Sequence, residues 1–255
     1  MTRKDALGGG EALAAARLIA RREIAAYFDS NIAYVYTVGF VVLANSIFMN
    51  DFFLTGTADM TAFFDRLPLL LAIFLPAVTM RLWAEEKKHR TIELLLTFPI
   101  GPREAVAGKY AAALLLYALF LAGSLPIVVM LFVLGRPDGG LIASGYAGAL
   151  LLGAQFIASG MFFSALARDQ IVAFVTSSLA AFALVLSGND RVVEVLDGLW
   201  PSVAPGTILD ESVSAMPHFD AFVRGSIQLP SLVYFGGTSA VFLWMTALVL
   251  RQDRT

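Results

Sequence analysis

Residues 67–120 read LPLLLAIFLPAVTMRLWAEEKKHRTIELLLTFPIGPREAVAGKYAAALLLYALF. Two apolar runs flank a central segment that carries nearly all of the charge. An α-helix needs about 20 mostly apolar residues to cross a bilayer. The stretch therefore predicts two membrane-spanning helices joined by a charged segment on one side of the membrane.

The whole chain has the composition of a membrane protein. Of its 255 residues 58% are hydrophobic and 15% are charged, and the mean hydropathy is +0.75. Soluble domains carry roughly 25% charged residues. The chain has no cysteine, which excludes disulfides and thiolate chemistry. Neither its charge nor its motifs support nucleic-acid binding.

The gaps between charged residues predict six spans. Arg66 and Arg81 lie near the ends of the second span, where their side chains can reach the headgroups. The fold class that follows is an all-α polytopic membrane protein. The predicted spans are residues 30–50, 62–84, 110–135, 139–167, 170–189 and 225–250.

The basic residues predict the orientation. Fourteen of the 18 Lys and Arg residues fall on one side of the six spans, and this excess marks the cytoplasmic side. The domains are then a cytoplasmic segment 1–29, a membrane domain 30–250 and a cytoplasmic tail 251–255. The Arg21-Arg22 pair is not followed by an apolar run, so the N-terminus does not resemble a signal peptide.

Several kinds of chemistry lack their motifs. The sequence has no GxxxxGK[ST] phosphate-binding loop, no HExxH and no GxSxG, so we expect no enzyme activity and no metal site in this chain. His89 and His218 are predicted on opposite sides of the membrane. We find no ionisable residue deep inside the six runs, which argues against ion-coupled transport and for an external energy source.

Three segments outside the spans carry further information. Residues 10–29 are predicted to form an amphipathic helix on the membrane surface, with Leu13 and Phe28 on its apolar arc. Residues 81–109, here called the elbow, are predicted to form a helix to Thr97 and a second helix starting at Pro102. The apolar corner of the elbow either docks on a partner or folds back on the membrane. The outer segment 188–229 is predicted to form short amphipathic or re-entrant helices.

The fourth span is rich in small residues, which allow close helix contact. We expect this to serve packing within the chain rather than a seam between two copies. The residues concerned are Gly145, Gly148, Gly153, Ala154, Ala158, Ser159 and Gly160.

Four stretches resemble one known family in the same order along the chain. They are LPAVTMRLWAEEKK at 75–88 continuing to HRTIELLLTFPI at 89–100, GKY at 108–110, DQIVAF at 169–174, and HFDAFVRGSIQLPSLVYF at 218–235. The sequence is similar to ABC-2 type transporter permeases. Within them it resembles the gliding-motility-associated (GldF-like) branch, to which NosY-like permeases are related.

The resemblance implies a six-span permease of the inner membrane that pairs with a second permease copy or a homologous permease. It also implies a separate ABC ATPase subunit, which holds the ATP and Mg²⁺ and receives the elbow as its coupling helix. An accessory protein with an extracytoplasmic domain is a further expected partner. The matching coupling positions are Glu85, Glu86, Arg90, Thr91, Glu93, Leu94, Leu95, Thr97 and Pro99. Many relatives have Gly where this chain has Arg90.

By the same resemblance, spans one, two and five line the substrate path, with candidate residues Asn45, Phe48, Thr176 and Ser177. Polar residues of this kind also serve as hydrogen-bonding partners between helices. The residues do not rank a lipid, a polysaccharide or a peptide as cargo. A force-transmitting or scaffold subunit that moves no solute needs the same elbow, so it stays open as the alternative function.

Overall fold

The computed structural model describes residues 9–56, 59–89, 101–199 and 204–252, and every regular element in these ranges is an α-helix. In chain order the helices are α1 (Gly9–Asp29), α2 (Asn31–Thr55), α3 (Thr61–Thr79), α4 (Arg81–Lys88), α5 (Pro102–Ala122), α6 (Leu125–Leu134), α7 (Gly139–Leu166), α8 (Gln170–Leu186), α9 (Asp190–Leu199), α10 (Pro205–Ser212), α11 (Met216–Val223) and α12 (Leu229–Gln252).

Five helical segments are long and apolar enough to cross a membrane, judged by length and composition. They are Ala33–Thr55, Thr61–Lys88, Pro102–Leu134, Gly139–Leu166 and Leu229–Gln252. The fifth predicted span, residues 170–189, corresponds to α8, which has 17 residues. At 1.5 Å per residue α8 is about 25 Å long, the lower limit for a span. The count reaches six when α8 and the following α9 are taken together as one broken span.

Both ends of the elbow are helical, as the sequence predicts. The second span continues through Met80, which has helical backbone angles, into α4. Helix α5 begins at Pro102, as predicted. The apolar helical segment of the third span also starts there, whereas the span was predicted to begin at residue 110. The helix predicted to reach Thr97 instead ends at Lys88, with His89 at its C-terminal cap. Residues 90–100 lie outside the described part of the chain.

The third span is interrupted once. The helix turns at Gly123 and Ser124, between α5 and α6, and Pro126 stands at the start of α6. Proline lacks the N–H that would continue the helical hydrogen-bond ladder, and this accounts for the break. Asn45 of α2 donates to the Gly123 carbonyl at 3.2 Å. The Ser124 hydroxyl lies 2.6 Å from the Tyr146 hydroxyl. The Gly123 carbonyl and the Ser124 side chain therefore both have polar partners at the break.

Helix α7 is the centre of the bundle and packs against α3, α5, α8 and α12. Its glycines face side chains of neighbouring helices: Gly145 faces Phe64, Gly153 faces Tyr117 and Gly160 faces Thr79. A Cβ atom at any of these three positions would overlap its neighbour. The small residues therefore serve packing within the chain, and that prediction is confirmed.

Helix α1 packs lengthwise on α5. Its buried face contains Ile19 and Tyr27, which are 4% and 3% exposed. Leu13 and Phe28 of the predicted apolar arc are 53% and 42% exposed. A single helix does not reveal which side a partner helix will cover.

The segment 188–229 forms three short helices, α9, α10 and α11, in its described part, as predicted. Helix α11 lies against the first turns of α7, where Phe222 meets Gly148 and the Ser144 hydroxyl donates to the Phe222 carbonyl at 2.6 Å. Phe219 and Phe222 are buried there. These two rings of the segment thus pack on the end of the bundle.

Candidate functional site

Two of the nine predicted coupling residues, Glu85 and Glu86, belong to the described part of the chain, and both lie in α4. The other seven, Arg90, Thr91, Glu93, Leu94, Leu95, Thr97 and Pro99, lie outside the described residues. The site can therefore be built from α4 and from the helices that hold it. Both glutamates line a cavity of about 330 Å³ together with Arg81 and His89.

Helix α4 is fixed to α7 through Ser164. The Ser164 hydroxyl oxygen accepts from the backbone N–H groups of Trp83 and Ala84 at 3.1 and 3.2 Å, and the hydroxyl donates to the Met80 carbonyl at 2.9 Å. The first N–H groups of a helix lack partners within the helix, so a hydroxyl from α7 stabilises the start of α4. Lys87 also donates to the Ala165 carbonyl. These bonds attach α4 to the central helix.

A buried lysine joins α4 to two further helices. Lys109 of α5 is 2% exposed, and its ammonium lies 2.9 Å from Glu86 Oε1 and 3.1 Å from Glu23 Oε1. It also donates to the Leu82 carbonyl at 2.8 Å. The three donors of the ammonium therefore have three acceptors, two from α4 and one from α1. We call Lys109, Glu23, Glu86 and Arg22 the ion group.

The surroundings of the ion group explain why these charges are tolerated away from water. The Lys109 ammonium also lies 4.8 Å from the ring centre of Trp83, a favourable cation–π position. Arg22, 58% exposed, adds a second cation at 3.1 Å from Glu23 and 3.3 Å from Glu86. Two carboxylates and two cations balance, so the group as a whole is neutral. Unpaired charges in such a place would be costly.

The electrostatics of Glu23 follow from these contacts. Burial by itself would raise the pKa of Glu23, but Lys109 and Arg22 outweigh it and hold the pKa below the ordinary glutamate value. Glu23 is therefore ionised at neutral pH. It connects the N-terminal helix α1 to the elbow through Lys109.

Close packing brings α1 to the ion group. Gly108 precedes Lys109 and faces the Ala16 carbonyl oxygen and the Ile19 side chain, where a Cβ atom would lie 2.7 to 2.9 Å from them. A larger side chain at Gly108 would push α1 away from α5. Gly108 thus allows α1 to lie close to α5, and Lys109 provides the charge that pairs with Glu23 of α1.

Sequence reasoning missed Lys109 as a functional candidate. It assigned Lys109 to a cytoplasmic loop, whereas the residue lies in the second turn of α5 and is almost completely buried. Lys109 does not contradict the prediction that no ionisable residue lies deep inside the six runs, because it lies just before the third run, 110–135. The available signal was the early helix start at Pro102, which places Lys109 inside the helix.

The four predicted path residues lie in α2 and α8. Phe48 is 1% exposed and its ring lies 6.1 Å from that of Phe52, inside the core. Asn45 supports the break at Gly123. Ser177 is 1% exposed, and Thr176 donates to the Val172 carbonyl of its own helix at 2.7 Å. In this conformation the four residues serve packing and hydrogen bonding within the chain.

The described residues hold no group of three or more His, Asp or Glu side chains arranged to bind a metal ion. His218 lies in α11. Its Nδ1 lies 3.2 Å from the Ser231 hydroxyl, and its ring stacks on Tyr234 at 4.2 Å.

No protein-family model matches the chain, and no curated protein matches it. The structure supports an all-helical, multi-pass membrane protein, and the functional argument rests on the residues described above.

Proposed function

We propose that this chain is the permease subunit of an ABC-2 type transporter of the inner membrane, with an arrangement like that of the gliding-motility-associated branch. The observation that carries the proposal is the attachment of α4. This helix extends the second span out to the segment that resembles a coupling helix, and it is joined to α1, α5 and α7 by Lys109 and Ser164.

The mechanism follows from that attachment. The permease has no phosphate-binding loop, so ATP and Mg²⁺ belong to a separate ATPase subunit. ATP binding there displaces the elbow, and α4 moves as a rigid extension of α3. Because the ion group and Ser164 connect α4 to three other helices, the displacement reaches most of the bundle. ATP then drives transport by stabilising one arrangement of the helices over another.

The experiment is affinity purification of the full-length chain in mild detergent from its native host, with identification of bound proteins and measurement of ATP hydrolysis. We expect one P-loop ATPase subunit for each permease chain. Leu95→Asp places a charge on the apolar corner of the elbow, and Glu85→Lys reverses a charge beside it. We expect both variants to reduce ATPase recovery about tenfold or more, as for loss of a buried apolar contact.

Glu194→Lys in α9 is the matched control, because Glu194 is exposed and α9 belongs to the segment 188–229 far from the elbow. It should recover as much ATPase as the unaltered chain. Purification of the chain with no P-loop protein, or equal recovery with all three variants, would contradict the proposal.

A further inference from the structure

A second cavity, of about 360 Å³, lies between α2, α3 and α8. It is lined by Tyr36, Ile73, Phe74, Ala77, Met80 and Phe174, and Tyr36 is the only one of these six with a hydroxyl group. Ile73 is 45% exposed, so the cavity opens at the surface of the bundle. We call it the groove.

The position of the groove restricts what can occupy it. Its walls belong to helices that are apolar and long, or nearly long enough, to cross a membrane. Inside a bilayer, the molecules that reach such a surface from the side have hydrocarbon chains. An apolar groove in this location fits an acyl chain.

A cation lies at one end of the groove. Met80 lines the groove and is followed by Arg81, and Ala77 lies four residues before Arg81 on the same helix face. The helix is continuous there, because Met80 has helical backbone angles and donates its N–H to the Pro76 carbonyl at 2.8 Å. Arg81 therefore stands at the end of the groove next to α1.

Arg81 also lines the cavity that contains Glu85 and Glu86, and it further contacts Tyr27 and Ser30. The guanidinium lies 5.1 Å from the ring centre of Tyr27 and donates to the Ser30 hydroxyl at 3.4 Å. The ion pairs formed among the described residues do not include Arg81. A half-buried guanidinium with a planar array of donors is well suited to a phosphate group.

We propose that the groove binds one anionic phospholipid from the leaflet that faces α1, with an acyl chain along Ile73 and Ala77 and the phosphate on Arg81. Arg81 favours an anionic headgroup, and the apolar walls favour an acyl chain. An anionic phospholipid has both. The proposal requires only that these helices cross a bilayer, so it does not depend on the ATPase partner.

The experiment is native mass spectrometry of the full-length chain, purified with equal amounts of phosphatidylglycerol and phosphatidylcholine. We expect one retained phosphatidylglycerol per chain. Arg81→Gln should lower the ratio of retained phosphatidylglycerol to phosphatidylcholine about tenfold, because both lipids have a phosphate but only phosphatidylglycerol has a net negative charge for Arg81 to attract. Arg251→Gln, at the exposed end of α12, is the control and should leave the ratio unchanged.

A second variant tests the groove itself. Ile73→Trp fills the groove from its exposed rim and should abolish retention of both lipids. Val241→Trp adds the same ring to an exposed position on α12 and should not. Equal retention of the two lipids by the unaltered chain, or normal retention by Ile73→Trp, would overturn the proposal. A lipid-free dimer that Ile73→Trp dissociates would also overturn it, because the groove would then be an interface between two copies.

Discussion

Lys109 shows how a membrane protein places a charge near the end of a span. An ammonium that is 2% exposed has exchanged water for two carboxylates and a carbonyl. Each charge of a buried pair is costly once its partner is removed, even where the intact pair adds little to stability. The ion group therefore determines where α1 and α4 lie more than it determines how stable the chain is.

This view of the ion group predicts the effect of Lys109→Met, which keeps the length of the side chain and removes its charge. Glu23 and Glu86 then remain largely buried, at 14% and 15% side-chain exposure, without Lys109. We expect a loss of about 3–5 kcal/mol in the free energy of unfolding, as for other broken buried pairs. Thermal unfolding in detergent measures the change.

Two further variants make this test specific. Lys88→Met removes a lysine that is 56% exposed and pairs with Asp169 at 3.3 Å, and it should leave the unfolding temperature nearly unchanged. The triple variant Lys109→Met, Glu23→Gln and Glu86→Gln also removes the two carboxylate charges that Lys109 balanced, and it should recover part of the loss. A triple variant less stable than Lys109→Met would show that charge is not the cause.

At the scale of helices, the sequence predicted most of the fold. Charged residues are costly in a bilayer, so the gaps between them located the helices. Pro102 correctly marked the start of α5 because proline is favoured at the first helical position. The glycines of α7 correctly indicated packing within the chain.

What the sequence did not predict depends on contacts between distant segments. Glu23 and Lys109 are 86 residues apart, and Ser164 lies about 80 residues from the α4 residues that it binds. No local pattern indicates such partners. The path residues were carried over from a resemblance, and the structure places two of them in packed positions.

Packing around α7 gives a prediction at the scale of one helix pair. Gly153 faces the Tyr117 ring so closely that even a Cβ atom would overlap it. Gly153→Leu should therefore force α7 and α5 apart and also strain the hydrogen bond of 2.6 Å from the Tyr117 hydroxyl to the Ala149 carbonyl. We expect destabilisation of about 1–3 kcal/mol, the usual cost of overpacking a core.

Gly237→Leu in α12 is the matched control, because a Cβ atom at Gly237 meets no other atom within 4 Å. Both variants add the same side chain to a helix of similar length. Thermal unfolding in detergent should separate them clearly. If both lowered the unfolding temperature equally, the helix pair would not be closely packed at Gly153.

At the scale of the whole molecule, two serines of α7 show how far apart the two ends of the bundle lie. Ser144 near its start bonds α11, and Ser164 near its end bonds α4. These positions are 20 residues apart, which corresponds to about 30 Å along a helix. That distance is about the thickness of the hydrocarbon core of a bilayer. The elbow and α11 therefore lie at opposite ends of the bundle, as the distribution of basic residues requires.

This geometry predicts the sidedness of two single-cysteine variants. The chain has no cysteine of its own, so each introduced thiol is a unique reporter. His89 follows α4 and Ser226 follows α11, and both are exposed. In intact cells, with the outer membrane permeabilised where there is one, a membrane-impermeant maleimide should label Ser226→Cys at once and His89→Cys only after lysis. Labelling of both variants before lysis would place the two ends on one side and contradict a bundle that spans the bilayer. Labelling of His89→Cys alone would reverse the orientation and remove the elbow from any cytoplasmic ATPase.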